Sequence, residues 1–207
     1  MARKRRSCPA GIVFHLCNRS AGQVPLFQSP YDYRQVLDVL REALEKFPVS
    51  LYAYCIMPNH WHLLARGHKP RAISRFMHWF ETTHASRWRR SHEAVGQGAV
   101  YQNRFRSHPV DGSLAFLKTA AYIERNALAA GLTKEASAWP WGSAFPDPDL
   151  PAVAWPLPKP AQWKQLLANR LDAEILREIH QAQISSLPFR LEAVDHGPDE
   201  RALPLAA

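Results

Sequence analysis

Residues 51–65 read Leu51-Tyr52-Ala53-Tyr54-Cys55-Ile56-Met57-Pro58-Asn59-His60-Trp61-His62-Leu63-Leu64-Ala65, and how this stretch folds decides the rest. The run 51–56 is apolar and aromatic, the composition of a strand. Pro58-Asn59 is a turn signal, so residues 60–66 read as the returning strand of a hairpin. Side chains on a strand alternate faces, which puts His60 and His62 on one side and Trp61 and Leu63 on the other. Two imidazoles side by side on a rigid strand, with a tryptophan anchored behind them, suit a divalent metal ion. An isolated His-x-His is also the mark of a half-buried strand with two satisfied or exposed histidines, and that is the commoner case.

Working outward, residues 12–18 read as a first strand. Residues 31–47 carry Val36, Leu37, Leu40 and Leu44 at helical spacing, between Pro30 and Pro48. Pro70 opens a second helix over 71–91, with Ile73, Phe76, Met77, Phe80 and His84 on one side. Trp79 and Trp88 on it are expected as core or capping residues rather than base stackers. A fourth strand is expected over 100–107, a turn from Pro109 to Ser113 with Asp111 or Ser113 as N-cap, and a third helix over 114–130 stopped by Gly131. The order β-α-β-β-α-β-α predicts an α+β fold, the ferredoxin-like split βαβ sandwich. Its antiparallel sheet is expected to carry helices on one face and leave the other for a site. Many functions use that fold, so it selects none.

The domain expectations follow composition. Residues 1–145 form one domain with an N-terminal basic arm. Residues 146–160 hold six prolines and read as a stiff extended linker. Residues 161–190 are a helical appendage, one amphipathic helix over 162–183 that must dock on something. Residues 191–207 read as a disordered tail.

Lys and Arg number 26 against 18 Asp and Glu, a net charge of +8, which points to a polyanionic partner and above all to nucleic acid. The charge is concentrated in Arg3, Lys4, Arg5 and Arg6, along the second helix, and in Arg104 and Arg106 on the fourth strand. Arginine favours bidentate phosphate contacts. For Arg104 and Arg106 a solvated strand edge is the competing reading. No run of 18 apolar residues is present, so no membrane span is expected, and no signal peptide is visible. Three cysteines, Cys8, Cys17 and Cys55, without metal-type spacing fit free thiols in a reducing cytoplasm.

The third helix carries Tyr122-Ile123-Glu124-Arg125-Asn126. At ~100° per residue, Asn126 lies only ~40° around from Tyr122 and one turn along. Leu114, Leu117, Ala121 and Leu128 cluster on another flank, so Tyr122 and Asn126 project together from the less apolar side. Taken alone, the helix is described as well by an exposed tyrosine beside an exposed asparagine.

Several segments together resemble a known family. His60-Trp61-His62 resembles the HUH motif, two histidines around an apolar residue, of the single-tyrosine transposases in the HUH nuclease superfamily. Phe14-His15-Leu16-Cys17-Asn18-Arg19, Ala53 to Leu63, Tyr101-Gln102-Asn103-Arg104-Phe105-Arg106-Ser107, Tyr122 to Leu128 and Trp139-Pro140-Trp141-Gly142-Ser143 are similar to that family's segments in order and spacing. The branch most resembled is the REP-associated tyrosine transposases, which act on repetitive extragenic palindromes in bacteria. The resemblance implies His60, His62 and Asn126 as metal ligands, Mg²⁺ or Mn²⁺ as cofactor and Tyr122 as nucleophile. It implies cleavage of single-stranded DNA beside a hairpin through a 5′-phosphotyrosine. It also implies a groove contact by Arg3, Lys4, Arg5 and Arg6, phosphate contacts by Arg104 and Arg106, and a cytoplasmic, nucleoid-associated protein acting as a monomer. The chain departs from the family at Asn126-Ala127-Leu128-Ala129-Ala130, where relatives have a proline and an arginine, and in its short, acidic-leaning end. A domesticated palindrome-binding protein that no longer cuts is the alternative. A metal-dependent hydrolase of RNA or a small phosphodiester, or a structural protein, would leave no covalent DNA adduct.

Overall fold

The computed structural model describes residues 8–145, 150, 155–169 and 171–185. Four strands, β1 (Val13–Arg19), β2 (Val49–Met57), β3 (His60–Gly67) and β4 (Arg106–Val110), form one sheet in the order β2-β3-β1-β4. Every neighbouring pair is antiparallel. Helix α1 (Pro30–Lys46) joins β1 to β2, and α2 (Ala72–Ser91) joins β3 to β4. This is the expected ferredoxin-like sandwich.

Local chemistry sets the element ends. Ser29 Oγ accepts from Asp32 N and Asp32 Oδ2 accepts from Ser29 N, a capping box, with Pro30 as the first helical residue of α1. Pro58-Asn59 closes the hairpin with Met57 paired to His60. Behind that hairpin the core is built from Phe14 and Leu16 of β1, Trp61 and Leu63 of β3, and the inner faces of α1 and α2. Trp61, Leu16 and Leu63 have no exposed surface. Trp88 is half-buried and donates its indole N–H to the Leu26 carbonyl at 2.8 Å, a packing role.

Both sheet edges are covered or blunted. The segment Trp139-Pro140-Trp141-Gly142-Ser143 runs along β2: Ile56 N donates to Trp141 O at 2.8 Å and Ser143 N to Tyr54 O at 2.9 Å. A side chain on Gly142 would sit 3.4 Å from the Tyr54 carbonyl and 3.3 Å from the Trp139 ring, so glycine fits this close approach. Trp141 stacks on Tyr33 of α1, ring centroids 4.8 Å apart. On the opposite edge β4 carries Pro109, which has no N–H to offer an incoming strand.

The structure corrects several expectations. Helices cover both faces: α3 (Ser113–Ala129), α4 (Trp163–Ala168) and α5 (Ala173–Ser185) pack on the face opposite α1 and α2. The fourth strand starts at Arg106 and runs through Pro109, which the edge position tolerates, while Tyr101 makes only a single bridge to Ser20. Gly112, at φ +87°, occupies the N-cap of α3 in place of Asp111 or Ser113. The C-terminal helix is broken in two, because Asp172 Oδ1 accepts from Glu174 N at 2.7 Å and starts α5 afresh. Leu114, expected on the buried flank of α3, is exposed, and Glu124 and Arg125 are buried beneath α4 instead. The arm Arg3, Lys4, Arg5, Arg6 and the tail 191–207 lie outside the described residues, as do 146–149 and 151–154. The described part of the Pro-rich stretch packs on the sheet, with the Trp155 indole donating to Tyr52 O at 2.9 Å. No described helix is long and apolar enough to cross a membrane.

Candidate active site

On the face that carries α3, alternation along β3 presents His60 and His62, and alternation along β1 presents His15 and Cys17. Register places Cys17 directly opposite His62 and Arg19 opposite His60. From α3 the Tyr122 ring approaches edge-on, with centroids 5.6 Å from His62 and 5.9 Å from His15. The His60 and His62 rings stand 5.1 Å apart and perpendicular. Tyr122, His60, His62, Cys17, Arg104 and Arg106 line a common cavity of about 450 Å³. A larger hollow of about 680 Å³ near Cys8 and the start of α2 shares Arg104 but has no tyrosine in its lining.

Hydrogen bonds set the imidazole tautomers. Asn59 Nδ2 donates to the Gln23 carbonyl at 3.0 Å, which turns its Oδ1 to His60 Nδ1 at 2.7 Å. The oxygen accepts only, so Nδ1 of His60 carries the proton and Nε2 keeps a lone pair. Burial, reinforced by Arg19, pushes the His60 pKa down to about 4, so the ring is neutral near pH 7. His62 Nδ1 and His15 Nε2 are 2.8 Å apart. When His62 is the donor of that bond, its Nε2 also presents a lone pair. A buried partner that orients a ligand ring in this way is the usual second tier of a metal site.

Asn126 is half-buried, and its carboxamide nitrogen donates to the Tyr122 carbonyl at 3.0 Å. The oxygen remains as its possible ligand atom. Asn126 is not among the residues lining the cavity. Tyr122, His60, His62, Arg104 and Arg106 are thus brought together, and Asn126 sits one helical turn behind. Two neutral imidazole nitrogens suit a divalent ion, while the Asn126 carboxamide is turned onto its own helix and does not line the cavity they share.

Three residues at this site were not picked out from sequence: His15, Cys17 and Asn18. Asn18 is buried and donates to Asn103 O at 2.8 Å, which ties the rim loop carrying Arg104 to β1. For His15 and Cys17 the signal was present: they alternate with Phe14 and Leu16, and the predicted fold sets β1 beside β3.

Among solved structures, one described as a REP-associated tyrosine transposase bound to a REP hairpin aligns with a TM-score of 0.57 and 18% identity, covering 69% of this chain and 82% of that one. A Deinococcus radiodurans R1 protein described as a transposase aligns with a TM-score of 0.43 and 18% identity, covering 59% of this chain and 95% of that one. No curated protein matches. The first alignment agrees with the antiparallel α+β architecture. The family described as IS200-like transposases matches residues 9–126, a span that takes in β1, the histidine pair, Tyr122 and Asn126. The chain belongs to the IS200-like transposase family.

Proposed function

We propose that this transposase is a metal-dependent endonuclease and strand transferase of the REP-associated kind, acting on single-stranded DNA beside a hairpin. The observation that carries the reading is the approach of the Tyr122 ring to His62, 5.6 Å between centroids, inside a cavity rimmed by Arg104 and Arg106. Tyr122 is the nucleophile. Its phenol oxygen attacks the scissile phosphorus, the bond to the 3′ oxygen breaks, and the departing strand leaves with a 3′-OH. The 5′ phosphate stays on the tyrosine, so the bond energy is kept for rejoining.

His60, His62 and the oxygen of Asn126 would hold Mg²⁺ or Mn²⁺, and such an ion would polarise the scissile phosphate. Asn59 and His15 keep the two imidazoles in the coordinating tautomer. The rings of His15 and His62 flank the phenol ring of Tyr122. Arg104 and Arg106 neutralise phosphates along the strand, and Arg3, Lys4, Arg5 and Arg6 reach a groove of the hairpin stem. The protein acts as a monomer in the bacterial cytoplasm at the nucleoid. Residues 146–160 connect the nuclease domain to its helical appendage.

The test is a denaturing gel of the purified chain incubated with a labelled hairpin oligonucleotide and Mn²⁺. Wild type is expected to give a protein band carrying DNA. Tyr122→Phe is expected to lose that band and all cleavage while binding the oligonucleotide within about tenfold, since a single hydroxyl contributes on the order of 0.5–1.5 kcal/mol. His60→Ala and Asn126→Ala should reduce the adduct. Cleavage without an adduct, or an adduct in Tyr122→Phe, would overturn the reading. Binding without cleavage by the wild type would make the protein a palindrome binder.

A further inference from the structure

At the wall of the cavity lies a second donor set besides the His60–His62 pair, with Cys17 and His62 in the lining and His15 buried behind them. His15, Cys17 and His62 each offer a ligand atom, and the three atoms lie within 4.8 Å of one another. Strand geometry puts them there. His15 and Cys17 are two apart on β1 and share a face, and Cys17 pairs across the ladder with His62 on β3. The backbone of the site is therefore two hydrogen-bonded strands, a rigid frame. His15 and His62 are buried, while Cys17 is half-buried and lines the cavity, so an ion has a way in.

Donor chemistry separates this set from the neighbouring pair. A thiolate with two imidazoles selects borderline and soft ions, whereas carboxamide and phosphate oxygens serve Mg²⁺ or Mn²⁺. We propose that His15, Cys17 and His62 form a binding site for zinc-class ions, with the fourth position open to the cavity. Binding displaces the Cys17 thiol proton to solvent as the sulfur–metal bond forms. It also replaces the His15–His62 hydrogen bond. At Zn–N of ~2.1 Å, tetrahedral ligation sets the two nitrogens ~3.4 Å apart, against 2.8 Å in the structure. The imidazoles part slightly.

His62 belongs to both donor sets. On the proposed function above, an ion at His15, Cys17 and His62 engages Nδ1 of His62, the nitrogen whose bond to His15 orients the ring for the ion that serves cleavage, so the two sites are coupled through one imidazole.

The test is a Co²⁺ titration of the full chain read by absorption. Thiolate ligation gives a near-ultraviolet sulfur-to-cobalt charge-transfer band, and tetrahedral cobalt gives intense visible d–d bands. Wild type is expected to show both at one equivalent, and an equivalent of Zn²⁺ should bleach them. Cys17→Ser and His62→Ala are expected to lose the charge-transfer band or weaken Co²⁺ binding at least tenfold. His60→Ala, Cys8→Ser and Cys55→Ser should retain it. Far-ultraviolet circular dichroism of each variant checks folding, and Cys17→Ala is the second variant if Cys17→Ser unfolds. No band in folded wild type, or a band that survives Cys17→Ser, overturns the proposal. The readout uses no DNA. Absent cleavage with the band present would remove the nuclease reading and leave this site standing, and the converse result would do the opposite.

Discussion

At the scale of the residue, buried His84 and half-buried His60 are expected to make the protein sensitive to mild acid. Burial lowers the pKa of His84 to about 3, and burial with Arg19 lowers that of His60 to about 4, both below the unfolded value of 6.5. The unfolded chain therefore takes up protons first as pH falls. Stability from these two groups is complete above pH 6.5 and is lost as pH drops toward 4 and then 3, by up to ~1.4 kcal/mol per pH unit per group. His84 Nδ1 is 2.7 Å from the Tyr101 hydroxyl, so a neutral acceptor there preserves the contact. Urea midpoints of wild type should fall between pH 6.5 and 4, and those of His84→Gln should fall less steeply. Equal slopes would place the acid sensitivity elsewhere. The alternation of His60 and His62 with Trp61 was legible, because strand period alone dictates it. The bond from His62 to His15 was not, since it depends on the register of strands 47 residues apart. The spacing of Tyr122 and Asn126 placed both on one stripe, but the turn of the Asn126 carboxamide onto its own helix is a rotamer choice that spacing does not encode.

At the scale of the element, α3 is the helix whose environment the sequence concealed. Its buried Glu124 is two residues from Tyr122 and faces away from the cavity. Glu124 accepts from the Trp163 indole at 2.7 Å and from Ser143 Oγ at 2.9 Å, with Lys159 Nζ at 3.7 Å. Arg125 donates to the Leu167 carbonyl at 2.5 Å. A Glu-Arg pair on a helix ordinarily signals a wet face. Here α4 covers it, and only chain beyond the domain could reveal that. Glu124→Ala strands a buried indole N–H and a hydroxyl. It should cost about 2–3 kcal/mol and lower the melting temperature by roughly 5–10 °C. Glu124→Gln, which keeps an acceptor, should cost about half as much. Faster proteolytic cutting in residues 145–160 of the alanine variant would report release of α4. An unchanged melt would show that the carboxylate does not hold this segment. The amphipathic run over 162–183 concealed its own break, because apolar spacing continues through Leu171 while Asp172 caps a new start.

At the scale of the whole molecule, the order of elements and the sheet were recoverable because each crossover helix and the hairpin announce themselves by period and punctuation. The second layer of helices was not recoverable, since docking of a distant amphipathic segment is a tertiary event. The net charge of +8 makes salt the natural probe of the DNA interface. Each phosphate contact contributes ~0.7 to the slope of log K against log salt on single strands. Arg104→Ala with Arg106→Ala should therefore flatten the slope by ~1.4 in fluorescence anisotropy with a hairpin oligonucleotide. An unaltered slope would mean that neither guanidinium group meets a DNA phosphate. The placement of Tyr122 over histidines of the same polypeptide has a further result. On the proposed chemistry each copy owns a single covalent berth, and it is vacated only when the held strand is passed on. Excising a segment with two ends therefore requires two polypeptides side by side, or one that finishes its first transaction before opening a second.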